Sequence, residues 1–139
     1  MPLTAKEIEN IIREGVPMAE DIDFRVDEVS AERAIARVPF SSRLVRPGGT
    51  LSGPTIMALA DAAMYAVILA ALGRVEMAVT SNLNINFIQR PQPVDLVAEA
   101  TLLKLGKRLA FCEVRLTSAG SPDLVAHVTG SYSIPPQTE

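Results

Sequence analysis

Apolar residues at helical spacing predict a short amphipathic helix near the start of the chain. Thr4 and Glu7 have the spacing of a capping box, in which a hydroxyl and a carboxylate satisfy free backbone N–H groups. The isoleucines that follow recur three and four residues apart and therefore share one face: Ile8, Ile11 and Ile12. We expect this helix to end near Gly15 and Pro17.

A second helix is predicted over residues 54–72, which are apolar on every side. These nineteen residues carry a single charge, Asp61, and the segment stops at Gly73. Its length approaches that of a membrane span, but a charge at the centre of a span is costly and no Lys or Arg cluster lies immediately beside either end. We therefore interpret it as a helix buried inside a soluble domain, and we expect no membrane partner.

Elsewhere the hydrophobic period changes to two, which predicts strands. Residues 24–29 and 34–38 form a predicted hairpin with a turn near Ser30. In residues 81–88, asparagines alternate with apolar side chains, so this strand has one wet or interfacial face. Two prolines end it, and three further strands follow at 94–105, 109–117 and 124–134.

The resulting order of elements is one helix, two strands, the apolar helix and four strands, which predicts an α+β fold. We expect a single domain over residues 1–139, with an N-terminal helix and lead-in in residues 1–20 and a frayed tail in residues 135–139. The last four strands are predicted to form an antiparallel meander that curves around the long helix. Because the helix is apolar on its remaining sides too, we expect another subunit to help cover it.

Composition narrows the classes of function. The chain has 139 residues, of which 48% are hydrophobic and 21% charged, as in a soluble globular protein. A net charge of −3 without a basic stripe argues against nucleic-acid binding. The single cysteine, Cys112, excludes an internal disulfide, and the N-terminus lacks the apolar region of a secretory signal, so we expect a cytoplasmic protein. One histidine and no ligand cluster give no reason to expect a metal or another cofactor.

Asp61 is the strongest candidate for chemistry. It lies near the middle of the apolar helix, where an unpaired carboxylate is energetically costly and tends to be kept for a partner, a switch or a reaction. As a general base it would take a proton from a water that attacks a carbonyl, and as a nucleophile it would form an anhydride with an acyl group. The alternative is a structural aspartate that faces solvent or a subunit seam.

The start of the same helix offers a second group. Free N–H groups and the positive end of the helix dipole would polarise a carbonyl oxygen. Gly53 would let a ligand approach the backbone closely; the alternative is that this glycine only allows the chain to turn. Gly53 precedes Asp61 by eight residues, about two turns. One small ligand reaches both only if it lies along the helix or comes from the side of a partner subunit. Basic residues near strand ends are candidates for phosphate binding, or are simply solvated: Arg90, Lys104, Lys107 and Arg108.

Triad chemistry is not expected. His127 is alone in an alternating strand and is interpreted as structural, and Ser52 lacks the G-x-S-x-G elbow.

The loop and the helix start resemble a known family. Residues 46–54, followed by Asp61, resemble the signature of hotdog thioesterases of the phenylacetate-pathway and 4-hydroxybenzoyl-CoA type. Residues 84–91 resemble the family's strand that ends in F-L-R-P, and residues 98–108 and 126–131 are similar to its closing strands. The resemblance extends over residues 24–134.

This resemblance implies a helix wrapped by a curved sheet, with subunits joined through their sheets as a homodimer or homotetramer and active sites at the interface. It implies an acyl-CoA substrate, with Asp61 as general base or nucleophile and the Gly53 N–H as oxyanion donor. A polar residue of the opposing subunit, near Thr80 and Ser81, would help to place the water. The candidate catalytic set is thus Asp61, Gly53, Ser52, Thr80 and Ser81, and the basic residues that would hold coenzyme A are Arg46, Arg90, Lys107 and Arg108.

Three positions depart from the family pattern. Arg46 stands where Asn is usual, Ser52 where His is usual, and Pro54 where a second Gly is usual. Arg46 would contact phosphate or pair with Asp61, and Pro54 cannot donate an N–H. Two alternatives therefore stand beside an acyl-CoA thioesterase: a non-catalytic acyl-CoA binder and, ranked last because no His lies near the helix, a hydratase or dehydratase. The sequence does not specify the acyl group, which is expected to be small or medium.

Overall fold

A long helix lies against a curved antiparallel sheet in the computed structural model, which describes residues 2–136. The predicted tail, residues 135–139, lies outside the described residues from 137 onwards. The elements in chain order are α1 (Ala5–Gly15), α2 (Pro17–Asp21), β1 (Arg25–Val29), β2 (Arg33–Val38), α3 (Gly53–Leu72), β3 (Val79–Phe87), β4 (Leu96–Leu105), β5 (Leu109–Ser118) and β6 (Leu124–Ser133), with a 3-10 turn at Ser42–Leu44.

The N-terminal helix begins at the predicted capping box. The Thr4 side chain accepts from the Glu7 N–H, the Glu7 carboxylate accepts from the Thr4 N–H, and the apolar face is buried. As predicted, α1 ends at Gly15, and the extended Val16 separates it from a second, short helix that was not predicted from the sequence. Pro17 starts the short helix α2, because its fixed φ and missing N–H suit the first turn of a helix.

The apolar helix α3 is the core of the protein. It is long and apolar enough to cross a membrane, but its residues are mostly buried against β2, β4 and β5. Leu59, Ala63 and Val67, which recur every four residues on one side of the helix, are fully buried. The prediction that this helix is buried in the core is confirmed, and so is the helix wrapped by a curved sheet that the family resemblance implied.

The strand order corrects the predicted four-strand meander. The sheet runs β1-β2-β4-β5-β6-β3, so β4, β5 and β6 form a meander while β3 lies at the far edge beside β6. The link of residues 88–95, which contains Pro91 and Pro93, is too long and too poor in N–H donors for a tight hairpin between β3 and β4. As a result Thr80 lies opposite Tyr132, and Phe87 lies opposite Ala126.

A glycine lets α3 approach β6 closely. A side-chain carbon at Gly130 would lie 2.7 Å from the Asn82 carbonyl oxygen and 2.9 Å from the Met64 side chain. Only a residue without Cβ fits between the helix and the sheet at this point. This contact holds β6 against the helix two positions before Tyr132.

Candidate active site

Asp61 is held by two hydroxyl groups. Its Oδ1 accepts hydrogen bonds from Thr80 Oγ1 at 2.7 Å and from Tyr132 Oη at 2.8 Å, and Tyr132 Oη also lies 3.1 Å from the Asp61 backbone oxygen. Asp61 is half-buried, and none of the ion pairs within residues 2–136 involves it. The carboxylate is therefore partly buried, with one oxygen held by hydroxyls, and it is not locked in an ion pair within the described residues.

Tyr132 belongs to a stacked pair of tyrosines. Its ring lies 5.9 Å from the ring of Tyr65, with 12° between the planes, and the Tyr65 hydroxyl donates to the Glu76 carbonyl at 2.9 Å. Burial raises the pKa of Tyr132, and the charge of Asp61 raises it further. Burial likewise raises the pKa of Tyr65. Both phenols are therefore neutral hydrogen-bond donors at working pH.

Thr80 reaches Asp61 of its own chain, whereas the family resemblance implied a polar residue from the opposing subunit. The reason is the position of β3, which pairs with β6 and sets Thr80 opposite Tyr132. Ser81 lies in the bulge between Thr80 and Asn82, is exposed, and makes no hydrogen bond to Asp61. Of these two predicted residues, the structure brings Thr80 to Asp61 and leaves Ser81 beside it.

Two cavities meet at Asp61. One is apolar, has a volume of about 100 Å³, and lies under α1 and α2, with walls that include Ile12, Val16, Met18 and Ala19. The other is a wider groove of about 530 Å³ along the start of β3, with Met77, Val79 and Thr80 in its wall. Asp61 thus lies between two spaces: the groove could hold a polar reacting group, and the apolar cavity could hold an apolar substituent.

Gly53 lines a separate cavity of about 350 Å³ at the start of α3. As the first helical residue it has an N–H without an intrahelical acceptor, and the Phe87 ring lies 3.6 Å from where a Cβ would be. Arg46 and Arg90 also line this cavity. The rise of a helix over the eight residues from Gly53 to Asp61 is about 12 Å. Within one chain the two groups therefore cannot act on the same carbonyl.

Ser52 caps the central helix. Its hydroxyl lies 2.9 Å from Thr55 Oγ1 and accepts from the Thr55 N–H at 3.4 Å. This capping accounts for the hydroxyl at the position where the family has His. The structure does not bring Ser52 to Asp61, and a catalytic role for Ser52 stays a prediction.

The four predicted basic residues separate into two groups. Arg46 and Arg90 are exposed beside Gly53, and Arg46 donates to the Pro47 carbonyl at 3.1 Å rather than pairing with Asp61 of its chain. Lys107 and Arg108 lie in the β4–β5 turn and line none of these three cavities. That turn is at the same end of the sheet as Thr80, because Leu109 and Val79 both pair with Ser133.

Other reactive side chains lie away from these cavities. His127 Nε2 is 2.6 Å from Glu113 Oε2, and strand alternation places both on the face of the sheet opposite α3, which supports a structural histidine. Burial raises the pKa of the Cys112 thiol to about 12, so the thiol is inert. Within residues 2–136, no group of three His, Cys, Asp or Glu side chains could hold a metal ion.

Comparison with known sequences decides the family. The sequence pattern of the thioesterase superfamily matches residues 48–124, more than half of the chain, and includes Gly53, Asp61 and β3. The chain belongs to the thioesterase superfamily. A crystal structure of a candidate thioesterase from Silicibacter is 38% identical, has a TM-score of 0.86, and covers 96% of this chain and 93% of that chain.

More distant proteins support the same assignment. A candidate esterase of Thermoplasma acidophilum is 28% identical over 114 residues, which is 82% of this chain and 85% of that protein. A thioesterase from Haemophilus influenzae is 16% identical, has a TM-score of 0.87, covers 100% of this chain and 95% of that chain, and supports the fold alone. The hotdog fold is confirmed, and this member of the thioesterase superfamily is a thioester hydrolase.

Sequence reasoning missed Tyr132. It is one of only two tyrosines in the chain and occupies a buried position of an alternating strand. A tyrosine at such a position needs a partner for its hydroxyl, and this signal was available. Naming Asp61 as the partner required the strand order, in which β6 and β3 lie next to each other.

Proposed function

We propose that this thioesterase hydrolyses a small or medium acyl-CoA thioester to a carboxylic acid and coenzyme A, at a site shared by the two subunits of a homodimer. The observation that carries the proposal is the presentation of Asp61, with one carboxylate oxygen held and the other available. Oδ1 accepts from two hydroxyls, and no group within residues 2–136 donates to Oδ2. No buried side-chain oxygen in that range lacks a partner, so Oδ2 is open to solvent.

Oδ2 has two chemical routes to the same products. As a general base, it removes a proton from a water that attacks the thioester carbonyl, and collapse of the tetrahedral intermediate expels the coenzyme A thiolate, which is then protonated. As a nucleophile, it attacks the carbonyl itself, and water then hydrolyses the mixed anhydride. Both routes place negative charge on the carbonyl oxygen, which needs a donor such as the Gly53 N–H.

The edge strand β3 supplies the argument for a shared site. Its outer edge has no neighbouring strand within the described chain, and such an edge is a ready template for pairing with another copy. Antiparallel pairing across a two-fold axis would set the Val79 end of one strand against the Phe87 end of the other. Because Thr80 contacts Asp61 and Phe87 packs on Gly53, this pairing brings Gly53 towards Asp61 of the partner subunit.

The same pairing of β3 strands would bring the predicted basic residues to one region of the dimer. Arg46 and Arg90 beside Gly53 are proposed to bind coenzyme A phosphates, since arginine forms charge-assisted bonds with phosphate oxygens. Lys107 and Arg108 lie at the Thr80 end of the sheet, so in the dimer they face the Gly53 cavity of the other subunit and can join this set.

The apolar cavity of about 100 Å³ beside Asp61 is proposed to take the acyl group. Its size favours a small substituent. The aromatic acyl groups of the phenylacetate-pathway and 4-hydroxybenzoyl-CoA type are the first to test. Assembly of two dimers into a homotetramer and a cytoplasmic location stay predictions from the sequence.

The test is thiol release from a panel of acyl-CoA substrates. We expect the wild-type protein to hydrolyse some of them and Asp61→Ala to lower kcat by about 10²–10⁴-fold. The fold should survive, because the Tyr132 hydroxyl keeps its bond to the backbone oxygen of residue 61. Asp123→Ala, at an exposed carboxylate in the β5–β6 turn, is the matched control and should behave as the wild type.

Two results would contradict the proposal. Undiminished hydrolysis by Asp61→Ala would remove Asp61 from the mechanism. Tight binding of acyl-CoA by the wild-type protein without release of thiol from any substrate would identify a non-catalytic binder instead.

A further inference from the structure

The two hydroxyls on Asp61 differ in how firmly they are held. Thr80 is exposed on the edge strand, where its hydroxyl can exchange Asp61 for water. Tyr132 is only 4% exposed, and its ring is stacked on Tyr65. Within the described chain, the acceptors of the Tyr132 hydroxyl are the side-chain and backbone oxygens of Asp61. The phenol therefore has a fixed position beside Asp61, and a side-chain hydrogen bond with Thr80 also acts on it.

Tyr132 joins the Asp61 side chain to its own backbone. The distances from Oη are 2.8 Å to Oδ1 and 3.1 Å to the backbone oxygen, so one hydroxyl spans both. Turning the Asp61 carboxylate away from β6 would leave the Tyr132 hydroxyl with only the neutral backbone oxygen of Asp61, and a hydrogen bond to a charged acceptor is stronger than one to a neutral acceptor. The side chain is therefore restrained to the rotamer in which Oδ1 faces β6.

We infer that Tyr132 is a positioning residue for the proposed hydrolysis: its hydroxyl holds Oδ1 of Asp61 so that Oδ2 is the oxygen presented to the water or to the thioester. The inference rests on the proposed function, and it adds a residue of β6 to a site otherwise built from α3 and β3. Tyr132 itself does not touch the substrate in this account and acts only through Asp61.

The surroundings of Asp61 make the effect of Tyr132 measurable. Besides Asp61, the ionisable side chains that line the two adjacent cavities are Tyr65 from α3, Glu76 from the segment before β3, and Tyr132 from β6. The walls supplied by α1 and α2 are apolar. A hydrogen bond to a carboxylate favours its charged form, so loss of the Tyr132 hydroxyl should move protonation of Asp61 to higher pH.

The matched experiment compares Tyr132→Phe with Tyr65→Phe. Each removes one buried hydroxyl and keeps the stacked rings, but only Tyr132 bonds to Asp61. For Tyr132→Phe we expect kcat to fall about 10-fold, with KM changed less than about twofold and the acidic limb of the kcat profile about one pH unit higher. The acidic limb of Tyr65→Phe should coincide with that of the wild type.

A second measurement does not depend on turnover. Titration of the Asp61 carboxyl carbon by NMR should show a higher midpoint in Tyr132→Phe and an unchanged midpoint in Tyr65→Phe. Because the chain has two tyrosines, fluorotyrosine incorporated into Tyr65→Phe labels Tyr132 alone and makes it a stronger donor. The midpoint should then move to lower pH, in a protein that keeps every native contact of Tyr132.

The outcomes separate the two claims. If the wild-type protein hydrolyses no thioester, the proposed function fails, while the NMR titration still tests the bond from Tyr132 to Asp61. The inference is overturned if the midpoint of the Asp61 titration is the same in Tyr132→Phe as in the wild type. It is also overturned if Tyr132→Phe loses stability without any change in the pH profile, because Tyr132 would then only pack the core.

Discussion

The two chemically distinctive positions on α3 lie in opposite surroundings. At the start of the helix, Gly53 offers a backbone N–H in an open cavity whose charged side chains are arginines. Two turns later, Asp61 offers a carboxylate that is held by hydroxyls and bordered by an apolar cavity. One position is suited to stabilising negative charge, and the other is suited to removing a proton or attacking a carbonyl.

Under the proposed function, one chain therefore supplies two halves of a site, and neither half is complete alone. The separation along the helix, about 12 Å, is too large for a single thioester group. The edge strand β3 touches both halves, through Phe87 at one end and Thr80 at the other. An antiparallel dimer through β3 would therefore create two complete sites from two copies of each half.

The largest effect within the Gly53 half is expected from loss of its N–H. Gly53→Pro removes the donor, and the extended Ser52 backbone, φ −76° and ψ 157°, already suits a residue before proline. We expect kcat to fall about 10²–10³-fold, as for loss of one oxyanion donor. The measurement is steady-state kinetics on the best substrate of the acyl-CoA panel.

The control is Gly53→Ala, which keeps the N–H and places a Cβ in ordinary contact with the Phe87 ring at 3.6 Å. It should lose much less activity than Gly53→Pro at a similar melting temperature. Equal losses in both variants would show that the site needs space at Gly53 rather than its donor.

A smaller effect is expected from the arginines of the same half. Arg46→Ala or Arg90→Ala should each raise KM for acyl-CoA about 10-fold and leave kcat nearly unchanged, because each removes a charge-assisted bond to a phosphate. An acyl N-acetylcysteamine thioester, which carries no phosphate, should show no such change. Arg115→Ala, at an exposed arginine of β5, is the matched control. If KM rises equally for the substrate without phosphate, these arginines act on the site in another way.

The sequence predicted what depends on local pattern. The bounds of α3 follow from the apolar segment between Pro54 and Gly73, in which Asp61 is the single charge. The alternation in residues 81–88 correctly indicated a strand, in which the asparagines are exposed while Leu83 and Ile85 are half-buried. Asp61 stood out because its charge is alone in that segment. These features depend on residues close in sequence, so the period of the hydrophobic pattern is sufficient to find them.

The features that could not be predicted from the sequence depend on which strands are neighbours in the sheet. A meander was the simplest assumption for the last four strands, but it leaves β3 and β6 apart. Only their pairing brings Thr80 and Tyr132, 52 residues apart in the chain, to the same oxygen of Asp61. The short helix α2 was missed for a different reason, since proline both ends one helix and begins another.

Subunit complementation tests the central claim most directly, namely that Gly53 of one subunit works with Asp61 of the other. Asp61→Ala and Gly53→Pro chains carrying different affinity tags would be co-expressed, and the heterodimers isolated. In a shared site, each heterodimer has one site with both groups intact and one with neither, so we expect about half of the wild-type activity per dimer. Heterodimers as inactive as the two parent variants would contradict the account, because they would show that each site lies within one chain.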